Sequence, residues 1–306
     1  MSKERLLPFD YKQLQALDVV VSEQNFERAA RRLSLTQSAV SQRIKLLEQA
    51  VAQPLLLRTS PPTPTPLGQQ LLSHYRQVSQ LERELLPQLR VDAPQQPLKV
   101  SMAVNADSLA TWFIPALSPL LATHPIELDL RIDDETRTLD RLRQGEVFGA
   151  VSTEATSLPG CHATLIGLME YRLVCSASFA ERYFANGLTL DNLQLAPGVA
   201  FDQRDDMHIS YMREHFSLQP SGYPCHTVHS SEAFIALACA GVAYCLIPCL
   251  QITQELASGT LLALDSPPLY RHLYWHRWVL ERGVHQQLSQ AILQHGQSQL
   301  LPPSAI

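Results

Sequence analysis

Residues 35–48 read LTQSAVSQRIKLLE. Val40, Ile44 and Leu47 recur at helical spacing, so one side of the stretch is made for a core. The other side carries Gln37, Ser38, Ser41, Gln42 and Lys45. A solvated helix face more often uses Glu and Lys pairs. Here amides and hydroxyls dominate, and they need a purpose. The preceding NFERAARRL (25–33) forms a shorter helix with Phe26, Ala29, Ala30 and Leu33 inward, and Asn25 is its expected N-cap. SLT is a tight turn, after which Thr36 caps the next helix.

Two short helices joined by a tight turn, the second polar on its exposed face, make a helix-turn-helix. The major groove of B-DNA admits one helix and displays donors and acceptors on its base edges. Gln pairs with adenine there, and Ser donates or accepts. Arg31, Arg32, Arg43, Lys45 and Arg58 are placed to neutralise phosphates, which positions a protein without reading sequence. The expected DNA-binding set is Arg31, Arg32, Thr36, Gln37, Ser38, Ser41, Gln42, Lys45 and Arg58. A merely solvated three-helix domain is the competing reading. A steep salt dependence of duplex binding separates the two.

Outward from this motif, residues 10–23 form a first helix with Leu14, Leu17 and Val21 on one face. After the recognition helix, PLLLR and the proline-rich TSPPTPTP cannot be helix interior and form an extended wing. Residues 67–89 form a long helix in which Leu71, Val78 and Leu85 repeat every seven residues, with Leu81 between. So short a heptad pattern predicts a packed pair of helices. VDAPQQP is a linker. From residue 98 strand-like runs (LKVSMAV, IELDLRI, VFGAVS, YRLVCS, GVAF, HTVHS, VAYCLIP) alternate with helical segments at 108–122, 136–144, 178–185, 206–216, 231–240 and 249–257. A last helix follows at 284–299. This alternation predicts an α/β body with a mainly parallel sheet, in two similar lobes about a cleft.

The chain of 306 residues suits two or three domains. No apolar run approaches the roughly 20 residues of a membrane helix, and MSKERLLPFDYKQ is unlike a secretory signal, so a cytoplasmic protein without a membrane partner is expected. The six cysteines, without a CxxC pair, are expected to be small buried hydrophobes. The net charge of −5 hides an asymmetry: residues 1–90 hold 12 Lys+Arg and 8 Asp+Glu, leaving 12 and 21 for the rest. A basic head on an acidic body suggests two different partners, a polyanion and a small cation or plain water.

AARRLSLTQSAVSQRIKLLEQAVAQPLLLR followed by TPLGQQLL resembles the N-terminal signature of LysR-type transcriptional regulators. Through the body, VNADSLATWFIPAL, DDETRTLDRLRQGEVFGAVS, FDQRDDMH, PCHTVHSSEAF, IPCLQITQELASG and LYWHRW resemble the arginine- and lysine-responsive branch of that family. The resemblance covers almost the whole chain. It implies an all-α winged helix-turn-helix over residues 1–66, a dimerising linker helix over 67–90, a linker over 91–97, and an α/β effector domain over 98–306. That domain comprises two Rossmann-like subdomains resembling periplasmic binding proteins, the first about 98–168 and 270–306, the second about 169–269. It also implies a homodimer or tetramer, an operator in double-stranded DNA, contact with RNA polymerase and a nucleoid location. The implied targets are genes of basic-amino-acid export, and the replication origin. The unusually proline-rich wing, SPPTPTP, departs from the family pattern.

In open α/β sheets ligands collect at the carboxyl ends of strands. Asn105, Asp107 and Ser108 follow the strand LKVSMAV and open a helix, where free N–H groups favour an anion such as an α-carboxylate. Asp107 can instead take an α-ammonium. Glu135 follows IELDLRI, and Ser152 follows GAV. In the second lobe Asp202, Asp205 and Asp206 follow one strand and Ser230, Ser231 and Glu232 another. One helix N-terminus and several carboxylates match the charges of lysine or arginine. Each Asp or Ser taken singly is also a common helix cap.

No GxSxG elbow, P-loop or glycine-rich dinucleotide fingerprint occurs, so neither an enzyme nor a cofactor is expected. A solute-binding module without DNA function remains the rival, opposed by the basic head. CHTVH offers Cys225, His226 and His229 within five residues, but in a strand His226 leaves the face that the other two share. A solvated or core role is preferred to a metal site.

Overall fold

The computed structural model describes residues 9–89, 97–132, 138–201, 206–219 and 222–305. They divide into two compact units: residues up to 98 with 140–148, and residues 99–139 with 149–306. No described helix is long and apolar enough to cross a membrane.

In the first unit each helix starts where a short polar side chain accepts a backbone N–H. Asp10 caps α1 (Tyr11–Glu23), Asn25 caps α2 (Phe26–Arg32) and Thr36 caps α3 (Gln37–Val51). Asn25 Oδ1 accepts from Glu27 N at 2.8 Å and Arg28 N at 3.0 Å, satisfying two of the helix's unpaired donors. The apolar faces meet in one core containing Leu14, Leu17, Val20, Ala29, Ala30, Val40, Ile44 and Leu47. Burying each large aliphatic side chain contributes about 1.5–3 kcal/mol. Strands β1 (Leu56–Leu57) and β2 (Thr63–Pro64) pair antiparallel as the wing. Glu48 Oε1 on α3 accepts from Leu55 N at 2.8 Å and so fixes the wing root to the third helix.

Helix α4 spans Pro66–Leu89. A Cβ on its Gly68 would lie 2.1 Å from the Leu55 carbonyl oxygen, so only glycine permits this closeness of helix and wing root. The heptad stripe divides. Leu71 and the neighbouring Leu72 are buried in the core of the unit itself, Val78 and Leu81 are half-buried, and Leu85 is 51% exposed. Arg76 donates through Nε to Asp18 Oδ1 of α1 at 2.7 Å, and through Nη1 to the Gln144 carbonyl at 2.8 Å.

In the second unit β3 (Leu98–Val104), β4 (Ile126–Ile132), β5 (Gly149–Ser152), β6 (Cys161–Cys175), β9 (Cys245–Pro248), β10 (Leu262–Ala263) and β11 (Leu269–Trp278) share a sheet in the order β10-β6-β11-β5-β3-β4, with β9 also on β6. A smaller pair, β7 (Gly198–Ala200) and β8 (Cys225–Thr227), runs parallel. The helices are α5 (Ala106–Ser108), a π-helical turn at Leu109–Phe113, α6 (Ile114–Thr123), α7 (Thr138–Arg143, ending in the first unit), α8 (Ala177–Tyr183), α9 (Leu190–Leu195), α10 (Asp206–Phe216), α11 (Ser231–Cys239), α12 (Thr253–Ser258) and α13 (Gly283–Gln299). Val174, Val199, Phe234, Ala238, Cys245 and Ile247 form a core cluster of this unit.

The expected mainly parallel sheet is corrected. β3 and β5 pair in parallel, but β6 pairs antiparallel with β9, β10 and β11, and β11 does so with β5. The long strand β6 has two sets of neighbours: Cys161–Tyr171 lies against β11, while its end takes β9 and β10. The sequence pattern predicts strand for only 171–175 of the fifteen-residue β6, and it predicts neither β11 nor α9. The burial of β6 does not alternate, since much of it is covered on both faces. The cysteine expectation is corrected in part. Cys161, Cys175 and Cys245 are buried, Cys239 and Cys249 half-buried, and Cys225 is exposed because β8 is covered on neither face. Burial pushes the Cys161 and Cys175 thiols up to about 11, so they stay protonated. β8 ends at Thr227, so His229 lies beyond the strand, with its ring edge-on to Phe201 at 5.5 Å.

Candidate nucleic-acid interface and effector site

Helix α3 lies with Val40, Ile44 and Leu47 in the core, and this leaves Gln37, Ser38, Gln42 and Lys45 exposed and Ser41 half-exposed. The turn before it is closed by Ser34 N donating to Arg31 O and Leu35 N to Ala30 O, with Ser34 at φ 54°. Ala29 and Ala30 are buried there, and their small side chains let α2 approach α3 closely. Thr36 is occupied by its cap: Oγ1 accepts from Ala39 N at 3.2 Å and lies 3.0 Å from Ser38 Oγ. Arg31, Lys45 and Arg58 are exposed and have no carboxylate partner among the described residues. Arg32 differs. Its guanidinium donates to Glu23 Oε1 at 2.7 Å while remaining 61% exposed, a surface pair that DNA phosphates can displace at small cost. The basic groups of α2, α3 and the wing thus share a unit with the exposed amide and hydroxyl face of α3.

In the second unit Asn105 ends β3 and begins the helical run, yet its side chain makes no cap bond. Asn105 is buried, and its Oδ1 has no hydrogen-bond partner among the described residues. Ser108 is fully buried, and its Oγ also has none. Orphaned buried polar atoms are rare in native proteins and call for an explanation. Between them in sequence, Asp107 accepts from Tyr171 Oη on β6 at 2.9 Å through Oδ2. Through Oδ1 it accepts from Ser231 Oγ, at the start of α11, at 2.7 Å. A carboxylate that follows β3 is thereby tied to α11. The adjoining π turn has the same setting: Thr111 Oγ1 donates to the Asp107 carbonyl at 2.7 Å. Such turns are frequent at functional sites.

The other expected residues fare differently. Ser152 is buried at the end of β5, and its Oγ accepts from Glu154 N at 3.2 Å. Ser230 is a helix cap, accepting from Ala233 N at 3.3 Å and donating to Glu232 Oε2 at 2.9 Å, which occupies Glu232 as well. Glu135, Asp202 and Asp205 lie outside the described residues, as does the side chain of Asp206, whose backbone opens α10. Tyr171 and Gln251, which touch Asp107 and Ser231, were missed. Tyr171 lies between Glu170 and Arg172 at the start of the expected strand 171–176, and no local pattern points from it to Asp107.

Residues 11–69 match the family described as bacterial regulatory helix-turn-helix protein, lysR family, and residues 92–297 match the LysR substrate binding domain. The chain is 61% identical to the HTH-type transcriptional regulator ArgP of Aeromonas salmonicida over 96% of its own length and 98% of that protein. Its structure is similar to the crystal structure of ArgP from Mycobacterium tuberculosis, with a TM-score of 0.85 at 34% identity, covering 96% of this chain and 99% of that one. It is also similar to full-length LysG from Corynebacterium glutamicum with the effector arginine bound, with a TM-score of 0.81 at 31% identity, covering 96% of this chain and 100% of that one.

Proposed function

The chain belongs to the LysR family of bacterial regulatory helix-turn-helix proteins, and from that premise we propose a transcriptional regulator whose DNA affinity or footprint is set by a basic amino acid. The observation that carries the effector half is the Asn105–Ser108 turn. A carboxylate held by two hydroxyls stands beside two buried polar atoms that lack partners. Asp107 takes the ligand's α-ammonium, and Ser108 with its helix N-terminus takes the α-carboxylate. The two groups share one carbon, so adjacent residues suit them. Glu135, Asp202, Asp205 and Asp206 are assigned the side-chain cation on sequence grounds. The arginine bound to the LysG relative supports this ligand class.

The DNA half rests on the amide and hydroxyl face of α3, flanked by Arg31, Lys45 and Arg58. The outer part of α4, from Val78 to Leu85, is assigned to a partner helix in a homodimer or tetramer, because Leu71 and Leu72 are already buried in their own unit. Such pairing presents two recognition helices to half-sites one helical turn apart or a multiple of it. RNA polymerase is the further protein partner. Export genes for basic amino acids and the origin region are the targets assigned by sequence resemblance, with the protein in the cytoplasm at the nucleoid.

Calorimetry of the purified protein against L-arginine, L-lysine, L-ornithine and L-leucine tests the effector class. Binding of the basic amino acids and not of leucine is expected. Equal affinity for leucine, or no binding of any basic amino acid, refutes it. Footprints with and without arginine for Glu135→Gln and Asp206→Asn test the assigned carboxylates. If both variants still respond at unchanged arginine concentrations, these carboxylates are not ligand contacts.

A further inference from the structure

Ser231 Oγ lies 2.7 Å from Asp107 Oδ1 and 2.7 Å from the Gln251 side-chain amide, at the atom placed as Oε1. A hydroxyl carries one hydrogen, so it cannot donate to both. An ionised carboxylate only accepts, which assigns the Ser231 hydrogen to Asp107. The Gln251 group facing Ser231 is then its NH2, the amide orientation following from the network. The chain of donors runs from Gln251 to Ser231 to Asp107, and Tyr171 Oη holds the other carboxylate oxygen at 2.9 Å. Tyr171 and Ser231 are buried at 0% and 4% exposure, and Asp107 and Gln251 are half-buried. Their elements have different owners. Asp107 follows β3 of the first lobe, α11 carries Phe234 and Ala238 of the second-lobe core, and β6 runs through both lobes.

We propose that Tyr171, Ser231 and Gln251 are positioning residues of the effector site: they fix both oxygens of Asp107 and tie the two lobes at the point where the ligand's ammonium is read. The proposal rests on the effector reading above. It adds the residues that set selectivity for an α-amino group without belonging to the expected ligand contacts. Ser231 moves from the list of contacts to that of positioners. A carboxylate oriented before the ligand arrives loses less freedom on binding and discriminates better between ligands. Because Ser231 belongs to the second lobe, a ligand that strengthens Asp107's hold favours the arrangement of lobes in which this bond exists.

The test uses the full-length protein with two probes, L-arginine and 5-guanidinopentanoate, which is arginine without its α-ammonium. The wild type should prefer arginine. Ser231→Ala and Tyr171→Phe should each shrink that preference roughly tenfold, the size expected for losing one hydrogen bond to a charged group. Ser231→Thr, which keeps the hydroxyl, should restore it. Gln251→Glu should weaken arginine binding more than Gln251→Leu, because it sets a second acceptor against the Ser231 oxygen. A purely structural role would lower Tm and leave the ratio of the two probes unchanged. An unchanged ratio in both Ser231→Ala and Tyr171→Phe overturns the positioning roles while arginine binding still upholds the effector site. A wild type that binds no arginine overturns both.

Discussion

The recognition helix and the Asn105–Ser108 turn are both polar sites awaiting a partner, but they wait in different media. Gln37, Ser38 and Gln42 stand in water, which satisfies their donors and acceptors at no cost to the fold. Asn105 Oδ1 and Ser108 Oγ wait in the interior without partners, where an unsatisfied polar group costs about 1–3 kcal/mol. Folding stability should therefore be indifferent to the DNA-reading face and opposed by the effector turn. On the proposed reading, ligand binding satisfies groups that folding left unsatisfied, so stability and response are coupled at one site and independent at the other.

The sharpest break in this comparison is at Asp107. Asp107→Asn keeps the shape of the side chain and removes the charge. A lost hydrogen bond to a charged group is worth about 1.5–3 kcal/mol, so arginine affinity should fall roughly 10- to 150-fold. Affinity for duplex DNA without arginine should be unaltered. Calorimetry beside gel-shift titration checks both. Unaltered arginine affinity would remove the carboxylate from the site.

Next in size is the DNA face. Gln37→Ala should weaken operator binding by about 1–3 kcal/mol and relax the preferred sequence. Arg58→Ala should weaken all duplexes alike and reduce the salt slope by about one unit. Neither should move Tm, because neither side chain supports the core. A fall in Tm for Gln37→Ala would show that the face is structural, and an unchanged sequence preference would show that Gln37 does not read bases.

The same contrast explains what the sequence made legible. The first unit is specified locally. Asp10, Asn25 and Thr36 announce their helices, and the spacing of Val40, Ile44 and Leu47 decides which face of α3 remains for DNA. At the proposed effector turn the sequence names Asp107 and Ser108 as candidates but not their hydrogen-bond partners. Whether Ser231 reaches Asp107, 124 positions away, depends on how the chain returns through β6 and α11. Ser230 and Ser231 look alike as a dipeptide, yet one is a cap and the other bridges lobes. The parallel-sheet expectation failed for the same reason, since β6 and β11 take their direction from distant neighbours.

A smaller effect follows at Ser108. Ser108→Ala removes an unpartnered buried hydroxyl, so the ligand-free protein should gain about 1 kcal/mol in stability. Arginine should bind more weakly. Denaturant midpoints measured with and without saturating arginine check both signs. If the variant is less stable without ligand, the hydroxyl serves the fold and the coupling described above fails.

The smallest effect is a pH dependence that largely hides itself. Burial raises the Glu281 carboxyl from 4.5 to about 7, although the Ser289 hydroxyl and the Arg277 charge oppose this. Ser289 Oγ donates to it at 2.6 Å, and Arg277 Nε lies 3.3 Å from its other oxygen. Burial lowers His285 from 6.5 to about 4. For Glu281 the folded value exceeds the unfolded one, so its contribution to stability is complete below pH 4.5 and is lost as pH rises through about 7. For His285 the contribution is complete above pH 6.5 and is lost as pH falls through about 4. Between pH 4.5 and 6.5 the two slopes oppose each other, and the pair leaves little net trace. Single variants expose them. Relative to the wild type, the Tm of His285→Gln should improve as pH falls from 6.5 to 4.5, and that of Glu281→Gln should worsen over the same interval. Neither residue lies on the DNA-reading face or the effector turn, so neither variant should alter arginine or duplex binding at pH 7.5. If both Tm differences stay constant with pH, the two groups titrate alike in the folded and unfolded chain.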